Sequence, residues 1–434
     1  MSTADGSTPQ LGGGMAWINW LLATAFVVFV FTFQTGYAVT NIGMKDDLGL
    51  TVAQVGIVGS IYTWAFAVAQ FVSGSVLDRF GIRWVLPFAC ALVSAGGLVF
   101  ANAGGPEALV VGQVMMALGA AFGFVGAGFT GGAWFGMVKY GIMFCWVQFV
   151  ASLSAIVGQR VLGTLVTEFA WNELLNGMAL IGVALTVVMF LVMRNPKHAD
   201  QQLIPWNGLK NFIDDVVKAI NEVAAVRDSW VNALIGGATF GTMLALGVVW
   251  GPKFLIAAGM EQTDAFFTSS MMWAGLAFGA PVFGWVSDKM KSRKRPMFWG
   301  ALLQLITIIL IIAQPGMSAG EANVYFFIWG FMSGGSMLNF PIGAELVKPA
   351  LTGTSAAIVN AVQFICGGII MAIPGRVLSG TGFIARVAEI EAEAPGTVAR
   401  VSDYQWAMII NPIALALALV LFMFLRETYP KSQT

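Results

Sequence analysis

Charge is scarce in this sequence. Only 10% of its 434 residues are Asp, Glu, Lys or Arg, where soluble domains carry about 25%. At 58% hydrophobic residues the chain has too little polar surface to cover a water-soluble globule. The bilayer is therefore the expected solvent. The few charges balance, 22 Lys and Arg against 22 Asp and Glu, so no basic excess points to nucleic acid. Histidine is nearly absent. The single one, His198, lies in a polar stretch, which argues against a histidine-based catalytic or metal centre. Cys90, Cys145 and Cys366 sit apart inside apolar runs. They read as small packing residues, not as a disulfide frame or a zinc site. No phosphate-cradling G-x-x-x-x-G-K-[ST] loop occurs, and no cofactor is implied. The first residues are polar and Gly-rich without a basic region, so no cleaved signal peptide is expected. A membrane-embedded enzyme would need His, Asp, Glu or Cys gathered at one membrane face, and the acids here are dispersed.

What the chain does have is apolar length. A span needs about 20 mostly apolar residues, and only a helix can satisfy its own backbone over such a length in lipid. Candidate spans lie near 17–40, 52–76, 84–102, 107–134, 141–166 and 171–193, then near 230–256, 266–286, 297–313, 322–346, 353–378 and 404–425. The predicted fold is an all-α membrane protein of twelve transmembrane helices in two pseudo-symmetric six-helix bundles. The expected layout is a polar N-terminus 1–16, a first bundle 17–193, a linker 194–229, a second bundle 230–426 and a tail 427–434. With both termini cytoplasmic, most Lys and Arg fall on the inner side, among them Arg79, Arg83, Lys139, Arg194, Lys289, Arg293, Lys294 and Arg426. That is the positive-inside pattern of a bacterial-type inner (plasma) membrane protein.

Within the linker, Leu209, Phe212, Ile213, Val216, Val217, Ile220, Val223 and Ala224 recur at three- and four-residue steps, with Lys210, Asp214, Asp215, Lys218 and Glu222 opposite. This predicts an amphipathic helix, too polar to span, lying along the cytoplasmic surface. Gly119 and Gly123, and then Gly128, Gly132 and Gly136, form four-residue steps in span four. Such spacing lets helices approach closely in lipid.

The halves repeat. Between spans two and three the chain reads Gly74-Ser-Val-Leu-Asp78-Arg79-Phe-Gly81-Ile-Arg83; between spans eight and nine it reads Gly284-Trp-Val-Ser-Asp288-Lys289-Met-Lys291-Ser-Arg293. The first is a full match to G-x-x-x-D-[RK]-x-G-x-[RK]. In that loop and in its twelve-span layout the chain resembles the major facilitator superfamily, loosely its organic-anion symporter branches. The second copy departs from the pattern at Lys291, where the glycine is missing. The resemblance implies the two-bundle major facilitator fold and a cytoplasmic latch made by these loops. It places Gly74, Asp78, Arg79, Gly81, Arg83, Gly284, Asp288 and Arg293 in gating. Physically, an aspartate beside basic residues can accept N–H groups at a neighbouring helix start. A second repeat pairs Gln148 and Arg160 of span five with Gln363 and Arg376 of span eleven.

In this architecture the solute site is expected near the bilayer midplane. Arg160 and Arg376 fit two arrangements: a guanidinium pair facing a carboxylate solute, or interfacial arginines near the outer boundary. Glu389, Glu391 and Glu393 make the outer loop acidic, which counts against the first. Uncharged polar side chains complete the expected site: Gln34, Thr35, Tyr37 and Asn41 in span one, Tyr62 and Trp64 in span two, Gln113 in span four, Trp273 in span eight. Trp329 and Asn339 in span ten and Asn360 in span eleven join them. An unpaired amide in lipid is costly, which favours the amides over the aromatics. Glu345, near the end of span ten, is the in-span candidate for carrying a proton. The predicted function is secondary transport of a small organic solute, a carboxylate coupled to protons, by a monomer in contact with membrane lipid. The alternatives are an efflux pump for apolar compounds or a solute exchanger. The family's drug–proton antiporters usually carry a Gly-Pro-rich motif in span five; the stretch from Ser154 to Gly163 has no proline, which disfavours the pump.

Overall fold

A computed structural model describes residues 11–50, 52–166, 168–196, 208–390 and 400–430. His198, Glu391 and Glu393 lie outside the described residues, as do the side chains of Thr35, Tyr37, Asn41 and Arg160. Among the described residues the regular secondary structure is all helical. In order come α1 (Gly14–Asp47), α2 (Val52–Phe80), α3 (Ile82–Ala101), α4 (Pro106–Ala120), α5 (Gly123–Phe135), α6 (Met137–Leu165), α7 (Trp171–Val192), α8 (Leu209–Ala224) and α9 (Arg227–Ala245). There follow α10 (Gly251–Ala257), α11 (Gln262–Met290), α12 (Lys294–Ala313), α13 (Ala319–Ser333), α14 (Asn339–Glu345), α15 (Thr352–Leu378), α16 (Gly382–Val387), α17 (Val401–Met408) and α18 (Ile410–Leu421).

Among the described residues ten helical segments are long and apolar enough to cross a membrane. They cover the expected spans one to six, eight, nine, eleven and twelve. The other two are helical paths with interrupted hydrogen bonding. Span seven passes from α9 to α10 through a π-turn at Leu246–Trp250. Span ten passes from α13 to α14 through a 3-10 turn at Gly334–Leu338. Hydropathy is blind to such breaks because they change the bonding register and not the composition. The protein is thus an all-α, multi-pass membrane protein.

Local chemistry sets several helix starts. Pro106 occupies the first turn of α4, where its missing N–H costs nothing. Ser318 opens α13 with a capping box: Glu321 N donates to its hydroxyl, and Ser318 N donates to the Glu321 carboxylate at 2.8 Å. Lipid supplies no hydrophobic drive between helices, so close backbone approach must hold them. Gly275 and Gly279 of α11 face the carbonyls of Phe327 and Phe331 so tightly that no Cβ fits at either position. The span-four stripe serves packing in the same way, with Gly128 and Gly132 under the rings of Phe144 and Tyr140.

Two compact units emerge: residues 1–225 with 347–361, and residues 226–346 with 362–434. The first turns of α15 therefore pack with the first unit. The linker does contain an amphipathic helix, α8, and it buries Val216 and Val223.

Candidate functional site

In the first unit the loop residues converge on the start of α15. Asp78 accepts the N–H groups of Gly353 and Thr354, each at 2.7 Å, and the Thr354 hydroxyl at 2.8 Å. Orphan N–H groups and the positive end of the helix dipole make a helix start a site for carboxylate. Ser75 and Thr354 hydroxyls meet at 3.0 Å. Gly74 lies directly against the Gly353 carbonyl and the Ala357 methyl group, leaving no room for a Cβ. Arg79 turns away from Asp78: it forms an ion pair with Asp215 of α8 and lies 5.9 Å from the Phe212 ring. Arg83 donates to the Met193 carbonyl at 2.5 Å. Gly81 has φ 67°, and the Asn195 amide fills the place a Cβ would take. From there the Asn195 carbonyl oxygen accepts Ile82 N at 2.9 Å and Arg83 N at 3.0 Å, capping α3.

The second unit uses the repeated loop differently. Asp288 accepts from its own loop's Arg293 at 2.8 Å, and Arg293 also pairs with Glu345 at 3.1 Å. Burial alone would lower the Arg293 pKa; Glu345 and Asp288 outweigh it and raise it. The start of α12 is capped by Glu427, which accepts Arg293 N at 2.8 Å, Lys294 N at 3.3 Å and the Ser292 hydroxyl. Tyr429 covers the Arg293 guanidinium at 4.6 Å, and Thr428 donates to Glu345 at 2.7 Å. Where the glycine of the motif is missing, Lys291 adopts the left-handed conformation at φ 48°. Glu345 is thus engaged by Arg293 and Thr428, while Lys348 pairs with Glu222 at 3.5 Å.

A cavity of about 100 Å³ opens in the first unit, lined by Phe33, Gln34, Gly59, Tyr62, Thr63, Phe100, Gln113, Met116 and Leu175. Two amides, a phenol and a hydroxyl meet aromatic and aliphatic walls. Gln34 and Tyr62 are therefore brought together, and Gln113 joins them, buried. Other expected site residues are not among those lining this cavity. Gln148 donates to Ser152 at 2.9 Å, one turn along its own helix. Arg376 is exposed at the end of α15, where its carbonyl takes the Ser379 and Thr381 hydroxyls. Trp329 is fully buried, its indole N–H without a partner among the described residues. Asn360, in the first unit, is buried, its Nδ2 without a partner among the described residues.

Gln363 belongs to a buried polar cluster in the second unit. Its Nε2 and the Asn339 amide both abut Gly236, and Asn232 donates to the Asn339 carbonyl at 2.8 Å. Gln363 Nε2, Asn339 Oδ1, Asn232 Oδ1 and Ser336 Oγ are left without partners among the described residues. Buried polar atoms of this kind are costly unless something else satisfies them. Sequence reasoning missed Asn232, Asn195 and Glu427. The last two carried a signal: Met193-Arg194-Asn195 follows span six as Leu425-Arg426-Glu427 follows span twelve.

Multi-pass helices, paired Gly–Asp–Arg loops and interior amides are features of a solute transporter. The chain belongs to the Major Facilitator Superfamily, whose model matches residues 21–371. It is a transporter and not an enzyme. Among curated relatives, an uncharacterized transporter of Bacillus subtilis, YybO, is 23% identical over 85% of this chain and 89% of its own. The probable galactarate/D-glucarate transporter GudP of Escherichia coli is 22% identical over 84% of this chain and 87% of its own. A D-galactonate transporter of Escherichia coli is 22% identical over 85% and 90%.

Proposed function

We propose that this transporter carries a small hydroxylated organic acid, of the sugar-acid kind, across the membrane by alternating access. The observation that carries the reading is the grouping of Gln34, Tyr62, Thr63 and Gln113 around one cavity of the first unit. Amide and hydroxyl groups on an apolar wall match a polyhydroxy chain. The relatives named for galactarate, glucarate and galactonate support the same solute class. Asn360, of the same unit, is a further solute contact on this reading, since its buried amide N–H₂ has no partner among the described residues. Arg160 is assigned to the solute carboxylate.

The gating step is the making and breaking of the Asp78 bonds to the start of α15, with Gly74 permitting the close approach. The Lys and Arg distribution supports an inner membrane with both termini cytoplasmic, and the paired loops support a two-bundle division at the linker. Coupling to protons would run through Glu345 once it leaves Arg293, or through the solute's own carboxylate. Uptake of radiolabelled galactarate, glucarate and galactonate into proteoliposomes tests the solute class; failure to take up any of them sinks it. An imposed pH gradient tests the coupling separately, and uptake indifferent to it removes the proton.

A further inference from the structure

We propose that α8 is an interfacial helix seated between protein and bilayer, with Leu209, Ile213 and Val217 immersed in lipid. Its apolar surface is wider than the part the protein covers. One side, with Val216 and Val223, is buried, and Phe212 lies 5.8 Å from Phe80 at the end of α2. Among the described residues nothing covers the other side. Leu209, Ile213 and Val217 are 64%, 50% and 49% exposed. They stand at four-residue steps, so they form one line about 12 Å long on the helix.

The occupant follows from the height at which α8 sits. It rests on the last turn of α2, where a span ends, through the Phe80–Phe212 contact and the Arg79–Asp215 ion pair. Four residues beyond Phe80, Trp84 is 51% exposed with the Arg83 guanidinium 4.7 Å from its ring. An exposed tryptophan with a cation against it marks the headgroup level of a bilayer. The bare stripe is therefore continuous with the lipid-facing surface of the spans and not with water. Lys210, Asp214 and Lys218, all exposed, lie beyond the stripe on the polar side. A helix with this division lies in the plane of the interface. Because the same helix holds Arg79 through Asp215, the bilayer also steadies the residue next to Asp78. The inference is independent of the solute.

Site-directed spin labels test it on the full chain in liposomes, with Cys90, Cys145 and Cys366 replaced. Labels at Ile213→Cys and Val217→Cys should collide often with oxygen and rarely with an aqueous nickel chelate. Labels at Asp214→Cys and Lys218→Cys should do the reverse, so the oxygen-to-nickel ratio differs several-fold between the pairs. Equal nickel access at all four positions overturns the proposal. So does exclusion of both quenchers at positions 213 and 217, which would mean a protein partner or a second copy. If a label at position 213 is not tolerated, Leu209→Cys carries the same expectation.

Discussion

Asn195 and Glu427 do the same task in different halves of the chain. Asn195, just past α7, accepts Ile82 N and Arg83 N at the start of α3. Glu427, just past α18, accepts Arg293 N and Lys294 N at the start of α12. The neighbouring contacts repeat as well: Arg83 donates to the Met193 carbonyl and Lys294 to the Leu425 carbonyl. In each half, the exit of the last helix braces the loop that carries the Gly–Asp–Arg motif. One brace is a neutral amide and the other a carboxylate, and that difference is measurable.

The Glu427 brace should respond to acid. Burial alone would raise its pKa, but the bonds from Ser292, Arg293, Tyr429 and Lys294 outweigh it and lower it below the ordinary 4.5. A carboxyl depressed in the folded state stabilises above its unfolded pKa and loses that contribution as pH falls through the folded value. Thermal unfolding in detergent should show this loss below about pH 4.5, and Glu427→Gln should flatten that part of the profile. A profile identical in the variant would show that the carboxylate contributes nothing.

Asp78→Ala should weaken both stability and transport. It leaves Gly353 N, Thr354 N and the Thr354 hydroxyl without their acceptor, at about 1–3 kcal/mol for each donor left unsatisfied. A clear fall in Tm with loss of uptake is expected. If Tm and initial uptake rate both match the parent, Asp78 is not the acceptor that organises this helix start.

Gly74→Ala should act on the same contact by volume. The added methyl group would meet the Gly353 carbonyl and the Ala357 side chain, so the start of α15 must move. Overpacking of this kind costs about 1–3 kcal/mol. Gly177→Ala, where nothing lies within 4 Å of the new Cβ, is the control and should be neutral in the same Tm assay.

Gln113→Leu should separate solute binding from stability. The amide is buried on the cavity wall. Replacing it with a group of similar size should change Tm little. Loss of one hydrogen bond of about 1 kcal/mol should raise KM for the transported acid about fivefold with kcat nearly unchanged. A Tm that falls while KM stays fixed would make Gln113 a packing residue.

Arg293→Ala should be the most damaging of these changes. It strips the shared cation from Asp288 and Glu345, and breaking a buried pair on one side costs about 3–5 kcal/mol. Poor recovery of folded protein is the expected result. Arg293→Lys, measured beside it, should recover part of the loss, because an ammonium can reach one carboxylate but not fork to two.

Much of this protein was legible before folding. Runs of apolar residues set the helices, because lipid permits no other backbone solution. The spacing of Gly74, Asp78, Arg79 and Arg83 marked the family, and the three- and four-residue steps of the linker predicted α8. All of these are local properties, written in consecutive residues. What each motif touches was not local. Asp78 and Asp288 occupy matched places in the sequence, yet one caps α15 and the other meets its own Arg293. Gln148 and Gln363 also match, yet one donates to Ser152 and the other's Nε2, beside Gly236, has no partner among the described residues. The braces from Asn195 and Glu427, the breaks in spans seven and ten and the bare stripe of α8 likewise depend on what lies across the fold. Composition and period determine which segments become helices. Only the packing of those helices decides which polar groups find partners, because partners distant in the chain leave no mark in the residues around either one.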